Sequence, residues 1–355
     1  MRLFKKLGFA VVLISIGCLP SDEEVGEDPR VALNARAASL ELDTEYIPPP
    51  GDVLHHETAG FAKILCSAVF ITGLDPEDAA ANVGGFISHF DQRGHVVDTI
   101  VDYENEIVAL TLPDGITRTA KRYKNQGCVS HAIGEDSVYF TPTDVARNLP
   151  PAETTAWPMG DVISEAPWPA GVDMDLIEEA LDVGFGPEEA RTLALVVTHK
   201  GRILGERYSP EVDIHTPLES WSMTKSLTGT LMGVLIQQGV YDLDQSAPVP
   251  EWQGEGDPRQ EIRIKDIMRM SSGIRLRNAG DPDFDPELVY PGHLYLYTAT
   301  DDSFKWAATR PQQWPPNTVG RYRNSDPVLT SYLIRLVEDC LGDVYHDFPH
   351  IDLFD

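Results

Sequence analysis

The feature that most constrains the fold is a predicted β-hairpin followed closely by a helix. Residues 193–198 and 203–208 are rich in apolar and β-branched side chains and flank the turn His199-Lys200-Gly201-Arg202, a pattern typical of paired antiparallel strands. The first strand is almost wholly apolar, which predicts burial on both faces of a larger sheet.

A serine and a lysine lie one turn apart at the start of the helix that follows. Ser222 begins the helix, and Lys225 comes three residues later, so its amine lies on the same face and can reach the hydroxyl. A serine hydroxyl is a weak nucleophile and needs such a base. On its own, Ser-x-x-Lys also describes a helix cap followed by a solvated lysine. We expect this helix to be central, packed by Leu227, Leu231 and Leu235.

Three segments resemble the serine β-lactamase and penicillin-recognising hydrolases, especially the class C and esterase-like branch that includes 6-aminohexanoate-dimer hydrolases. They are Ser222-Met223-Thr224-Lys225-Ser226, residues 264–273 and Gly320-Arg321-Tyr322-Arg323-Asn324-Ser325, and Ser-x-x-Lys is a known signature of the family. The resemblance runs from about Ala194 onward. It implies a β-lactamase/transpeptidase-like fold, in which helices and a helical subdomain flank an antiparallel sheet.

The resemblance also implies roles for individual residues. Tyr322-Arg323-Asn324 matches the family's Tyr-x-Asn motif, whereas Tyr103 and Tyr123 begin the same pattern ahead of the serine. Tyr322 would help Lys225 take the proton from Ser222 and return it to the leaving group. Asn324 would hold an amide of the substrate. The implied substrate is a small-molecule amide or ester, with no metal or organic cofactor.

Two further patterns concern a possible catalytic triad and a structural turn. His215 and Glu219 precede the serine, but a Ser-His-acid triad is disfavoured because there is no Gly-x-Ser-x-Gly elbow. Ser271-Ser272-Gly273 resembles a family turn in which the glycine ends a helix in a left-handed conformation.

The family's third motif, Lys-Thr-Gly or His-x-Gly on a later strand, is missing after Tyr322. The sequence has His-x-Gly only at His199-Lys200-Gly201, in the hairpin turn. We therefore expect a truncated family member of doubtful activity, because one oxyanion donor is worth on the order of 100 to 1000-fold in turnover. The rival interpretation is a non-catalytic exported lipoprotein with a decayed or binding-only hydrolase half.

The N-terminus predicts export. Arg2, Lys5 and Lys6 precede a short apolar run that ends at Gly17-Cys18, the layout of a signal peptide. Cys18 is a candidate lipidation site, so the protein would be periplasmic or anchored to the membrane only through that lipid. An ordinary cleaved signal and a buried helix remain the alternatives.

The remaining sequence divides into segments of different composition. We expect an export signal at 1–18, a flexible lead-in at 19–51, a small α+β unit at 52–148, a proline-rich linker or wrapping segment at 149–171, and a partial hydrolase domain at 172–355. Within the small unit, residues 60–90 read as helical, and 96–101, 107–112 and 116–123 read as strands.

Cysteine spacing and charge limit the partners. Cys66 and Cys128 are candidates for a disulfide in an oxidising compartment, and Cys340 reads as a buried thiol. No spacing of cysteines and histidines fits zinc. The chain has 56 acidic against 28 basic residues, a formal net charge of −28, which makes nucleic acid an unfavourable partner.

Overall fold

The computed structural model describes residues 29–82, 93–145, 149–277, 281, 292–341 and 348–349. The helices are α1 (Pro29–Leu40), α2 (Val53–Ser67), α3 (Pro76–Asn82), α4 (Met174–Phe185), α5 (Thr224–Gln237), α6 (Ile264–Met268), α7 (Tyr295–Thr298), α8 (Ser303–Thr309) and α9 (Ser325–Leu341). The strands are β1 (Asp98–Asp102), β2 (Ile107–Thr111), β3 (Thr117–Arg122), β4 (Cys128–Ser130), β5 (Ala194–His199) and β6 (Arg202–Tyr208).

The first sheet is antiparallel in the order β1-β2-β3-β4, and α2 packs across it. A capping box starts α2: the Asp52 carboxylate accepts from the His55 amide at 2.9 Å, and the Asp52 amide donates to the His55 ring at 3.1 Å. Phe61 and Leu65 of this helix are buried against Val108 and Leu110 of β2. The sequence predicts β1 to β3 to within two residues, but it does not predict the short β4.

A disulfide joins Cys66 on α2 to Cys128 on β4. Cys66 is completely buried in the core between the helix and the sheet. The bond closes a sequence separation of 62 residues, and it fixes the C-terminal end of α2 against the edge strand of the sheet.

The two predicted units share packing and hydrogen bonds across their boundary. The fully buried guanidinium of Arg118 on β3 donates to three backbone carbonyls, those of His55 at 2.7 Å, His131 at 3.0 Å and Thr298 at 2.7 Å. Val212, which follows the hairpin, is buried in the same core as α2 and β2. Residues 52–148 therefore lie directly against the later part of the chain.

Much of the predicted flexible lead-in is ordered in the structure. Helix α1 and the stretch after it accept hydrogen bonds from distant residues: the carbonyl of Ala37 in α1 from the Trp314 indole at 2.9 Å, and that of Leu42 from Arg275 at 3.0 Å. The local sequence does not predict this order, because the donors that stabilise the segment come from residues more than 230 positions away.

The hairpin of β5 and β6 turns through Lys200 and Gly201, both at positive φ, as a two-residue turn requires. Its sheet has two strands within the described residues, so β5 is only partly buried and Val196 is 44% exposed. The predicted burial of β5 on both faces is therefore not observed there. The segment 149–171 wraps the hairpin, since Arg202 donates to the carbonyls of Ala166 and Pro167, each at 2.7 Å.

A second hydrophobic core lies between α5, the helix that follows the hairpin, and α9. Met232 and Leu235 of α5 are buried against Leu329 and Leu333 of α9. Leu227, by contrast, is 46% exposed. Only the second half of α5 is therefore packed in this core, which leaves its first turn facing a cavity.

No helix in the described ranges is both long enough and apolar enough to cross a bilayer. The predicted export signal with Cys18 and the Cys340 side chain lie outside what the structure describes.

Candidate active site

Ser222 and Lys225 are in direct contact at the start of α5. A single 3-10 turn, Trp221–Met223, leads into the helix, and Trp221 before the serine has a φ of 44°, a conformation that a large side chain seldom adopts. The Lys225 Nζ donates to the Ser222 Oγ at 2.9 Å. The three-residue spacing therefore places the lysine amine within hydrogen-bond distance of the serine hydroxyl.

Tyr322 reaches the same oxygen from a distant part of the chain. Its hydroxyl donates to the Ser222 Oγ at 2.5 Å, and the Lys225 Nζ lies 5.0 Å from the centre of its ring. Burial acts to raise the pKa of Tyr322, but the hydrogen bonds with Ser222 and Lys225 and the charge of Lys225 outweigh it and lower that pKa. The phenol is thus easier to ionise than a free tyrosine, which suits a group that accepts a proton.

The residues on both sides of Tyr322 are held by contacts with Met270, Ile274 and Asp281. The Arg321 amide donates to the Met270 carbonyl at 3.0 Å. The buried Arg323 side chain donates to the Ile274 carbonyl, and it forms an ion pair with Asp281 at 3.1 Å. These contacts fix the loop, so Tyr322 can face the solvent side while its neighbours are buried.

Gly273 ends this supporting segment in the left-handed region, with φ at +79°. A Cβ atom at this position would lie 2.0 Å from the Trp314 carbonyl oxygen, so no other residue fits without movement of the backbone. Gly273 therefore has the left-handed conformation that the resemblance implies, but it does not end the helix, because α6 already ends at Met268.

A buried carboxyl group lies next to the same loop. The Ser272 hydroxyl donates to Asp326 at 2.7 Å at the start of α9, and the Ser325 hydroxyl lies 3.1 Å from the same carboxyl oxygen. Burial raises the pKa of Asp326 to about 6, against the opposing effect of these hydrogen bonds.

This raised pKa predicts a pH-dependent stability. As the pH rises from about 4 to about 6, the unfolded chain loses the Asp326 proton while the folded protein keeps it, so the folded protein loses up to about 3 kcal/mol of stability. Above about pH 6 the loss is complete. Asp326→Asn should remove this loss, as measured by urea unfolding at pH 4 and pH 7.5. Exposed Asp136→Asn is the control and should keep the wild-type difference; an equal difference in Asp326→Asn would contradict the prediction.

A cavity of about 380 Å³ opens in front of Ser222. Helix α2 forms one wall, the loop before α5 forms another, and Tyr297 and Asn324 lie on the far side. Its lining residues are Gly60, Lys63, Ile64, Ser67, Ile71, Thr72, Pro217, Leu218, Glu219, Ser220, Trp221, Ser222, Thr224, Lys225, Tyr297 and Asn324. The N-terminal unit therefore contributes to the surroundings of the serine.

Three charged side chains line this cavity: Lys63, Glu219 and Lys225. Burial lowers the pKa of Lys63, with the nearby Glu219 charge acting in the opposite direction. Burial raises the pKa of Glu219, opposed by the charge of Lys63. Both shifts have the same cause, the removal of a charge from water. The sequence does not indicate that Lys63 belongs to the site, because a lysine on an amphipathic helix usually lies in solvent.

The other sequence candidates lie as follows. Asn324 is buried at the cavity wall, so the structure brings it together with Ser222, Lys225 and Tyr322. His215 is placed 3.4 Å from Asp161 instead of on the serine. Among the described residues, no group of three His, Cys, Asp or Glu side chains could hold a metal ion.

The family model of the beta-lactamases matches residues 178–347, which include the hairpin, Ser222, Lys225 and Tyr322. This segment is β-lactamase-like. The resemblance stated from the motifs is thereby confirmed, as is the fold class, since the structure combines antiparallel sheets with helices. The match to the family model supports a serine hydrolase-like function for the segment.

The solved structures that match the chain include one described as a 6-aminohexanoate-dimer hydrolase from Bacillus anthracis. It is 21% identical, with a TM-score of 0.37, over 50% of this chain and 46% of that one. This chain thus matches less than half the length of that protein. No curated protein sequence matches the chain significantly.

Proposed function

We propose that the protein is a serine hydrolase that cleaves a small-molecule amide or ester through an acyl-serine intermediate. The observation that carries this proposal is the convergence of two proton-transferring groups on one oxygen, with Lys225 at 2.9 Å and Tyr322 at 2.5 Å from the Ser222 Oγ. A helix cap with a solvated lysine would not require the tyrosine.

The geometry supports a two-step reaction. Ser222 attacks the carbonyl carbon while its proton passes to the phenolate form of Tyr322, whose ionisation Lys225 favours, and the Ser222 backbone amide stabilises the oxyanion. The proton then goes to the leaving amine or alcohol as its bond to carbon breaks. Water releases the acyl group by the reverse transfers, and Asn324 is positioned to hold an amide of the substrate.

The disulfide supports an accompanying proposal, that the chain is exported to the periplasm. Cys66 and Cys128 are bonded, and such bonds persist in oxidising compartments and are rare in the cytosol. Lipidation of Cys18 is the corresponding proposal for attachment to a membrane. Metabolic labelling with a fatty acid in an expressing bacterium, lost in Cys18→Ala, tests that attachment.

A fluorophosphonate probe tests the hydrolase proposal. The probe should label the folded protein, and mass spectrometry should place the label on Ser222. Labelling should disappear in Ser222→Ala, whereas it should persist in Ser220→Ala, which removes a hydroxyl that lines the same cavity. An unlabelled but folded wild type, or equal labelling of Ser222→Ala, would refute the proposal and favour a non-catalytic protein.

A further inference from the structure

The cavity in front of Ser222 departs from the charge of the rest of the protein. Its lining holds two basic side chains, Lys63 and Lys225, and one acidic side chain, Glu219, whereas the whole chain has a formal net charge of −28. Clefts lined by an excess of one sign attract ligands of the opposite sign, because their low-dielectric walls focus the field. The cavity therefore favours an anionic group of a ligand, although the acidic surface of the rest of the protein repels such a group.

Lys63 is held firmly in this position. It lies on α2 three residues before Cys66, which the disulfide ties to β4. The adjoining helical turn is attached to the loop before the serine, since the Thr72 hydroxyl donates to the Pro217 carbonyl at 2.8 Å. These contacts fix the helix backbone that carries Lys63 at the cavity wall, so the binding of a ligand there needs no movement of the helix.

The space around Lys63 also has an apolar component. Ile64, Ile71 and Leu218 line the same cavity as Ser222 and Lys63. A ligand that fills the cavity from the serine therefore contacts both aliphatic surface and the partly buried Lys63 amine. An aliphatic chain ending in a carboxylate matches this combination, because the chain covers the apolar wall and the carboxylate pairs with the cation.

We infer that Lys63 is a specificity-determining residue, which selects substrates whose acyl chain ends in a carboxylate. The inference rests on the proposed function, since it assigns the acyl group of the same reaction. Glu219 limits the preference by its opposing charge, so the two side chains set the selectivity together. Lys63 binds the substrate and takes no part in proton transfer at Ser222.

Two matched phosphonate probes test this assignment. Both are p-nitrophenyl alkylphosphonates of equal chain length, one ending in methyl and the other in carboxylate. Ser222 forms a bond to phosphorus while p-nitrophenolate leaves, and the released colour gives the rate. We expect the wild type to react at least tenfold faster with the carboxylate probe, and Lys63→Met to lose that preference.

Control variants separate the possible outcomes. Lys305→Met removes an exposed lysine outside the cavity and should keep the wild-type preference. Glu219→Gln should increase the preference, which tests the inference independently if Lys63→Met fails to fold. An unchanged rate ratio in Lys63→Met, or in Glu219→Gln, overturns the role of these charges. If neither probe reacts with the wild type, the proposed function fails first.

Discussion

Replacing Lys225 by methionine is expected to slow the phosphonylation of Ser222 by about 100 to 10,000-fold, the usual contribution of a positioned acid or base. The variant loses the 2.9 Å hydrogen bond to the Ser222 Oγ. It also removes the charge that, after burial and the hydrogen bonds, contributes to the lowered pKa of Tyr322. The pKa of Tyr322 should therefore rise in the variant.

The pH dependence gives this prediction a second readout. If Tyr322 accepts the proton as a phenolate, the labelling rate rises with pH through its lowered pKa, and this rise should move to higher pH in Lys225→Met. Stopped-flow measurements between pH 6 and pH 10 would show both effects. Lys265→Met, which removes a lysine paired with Asp244 outside the cavity, should react at the wild-type rate. A rate and a pH profile unchanged in Lys225→Met would contradict the mechanism.

Loss of the Cys66–Cys128 disulfide is expected to lower the free energy of unfolding by about 4 kcal/mol. The bond spans 62 residues, and a closed loop of this length restricts the unfolded chain by about that amount. Urea unfolding with and without dithiothreitol measures the difference. Equal unfolding midpoints, with thiol titration showing that the bond is reduced, would disprove the prediction.

A double variant provides the control for the reductant. Cys66→Ala with Cys128→Ala should unfold at about the midpoint of the reduced wild type, and dithiothreitol should not change its midpoint further. A remaining effect of dithiothreitol in this variant would mean that the reductant acts elsewhere.

Local patterns made most of the secondary structure predictable. The turn His199-Lys200-Gly201-Arg202 marks the hairpin, and the structure has β5 and β6 on either side of it to within one residue. Strand β4 escaped prediction because it is only three residues long and has no clear alternation of its own. Helix α1 escaped because its stability depends on distant donors such as Trp314.

The residues of the candidate site likewise differ in how far the sequence predicts them. The three-residue spacing of Ser222 and Lys225 is enough to predict their contact, because it is fixed by helix geometry. Tyr322 lies 100 residues away, and only the family resemblance selects it from the similar patterns at Tyr103 and Tyr123. Lys63 could not be predicted at all, since its place beside Ser222 depends on how α2 docks against the later part of the chain.

The hydrogen bonds from Arg118 to three backbone carbonyls have a consequence for the expression of separate parts of this protein. They come from segments near positions 55, 131 and 298, so expressing residues 149–355 alone would leave Thr298 without its donor and the pocket without Lys63. Residues 1–148, about two fifths of the sequence, are therefore not an exchangeable module, and replacing them with those of a relative would remove contacts on which both the fold and the pocket depend.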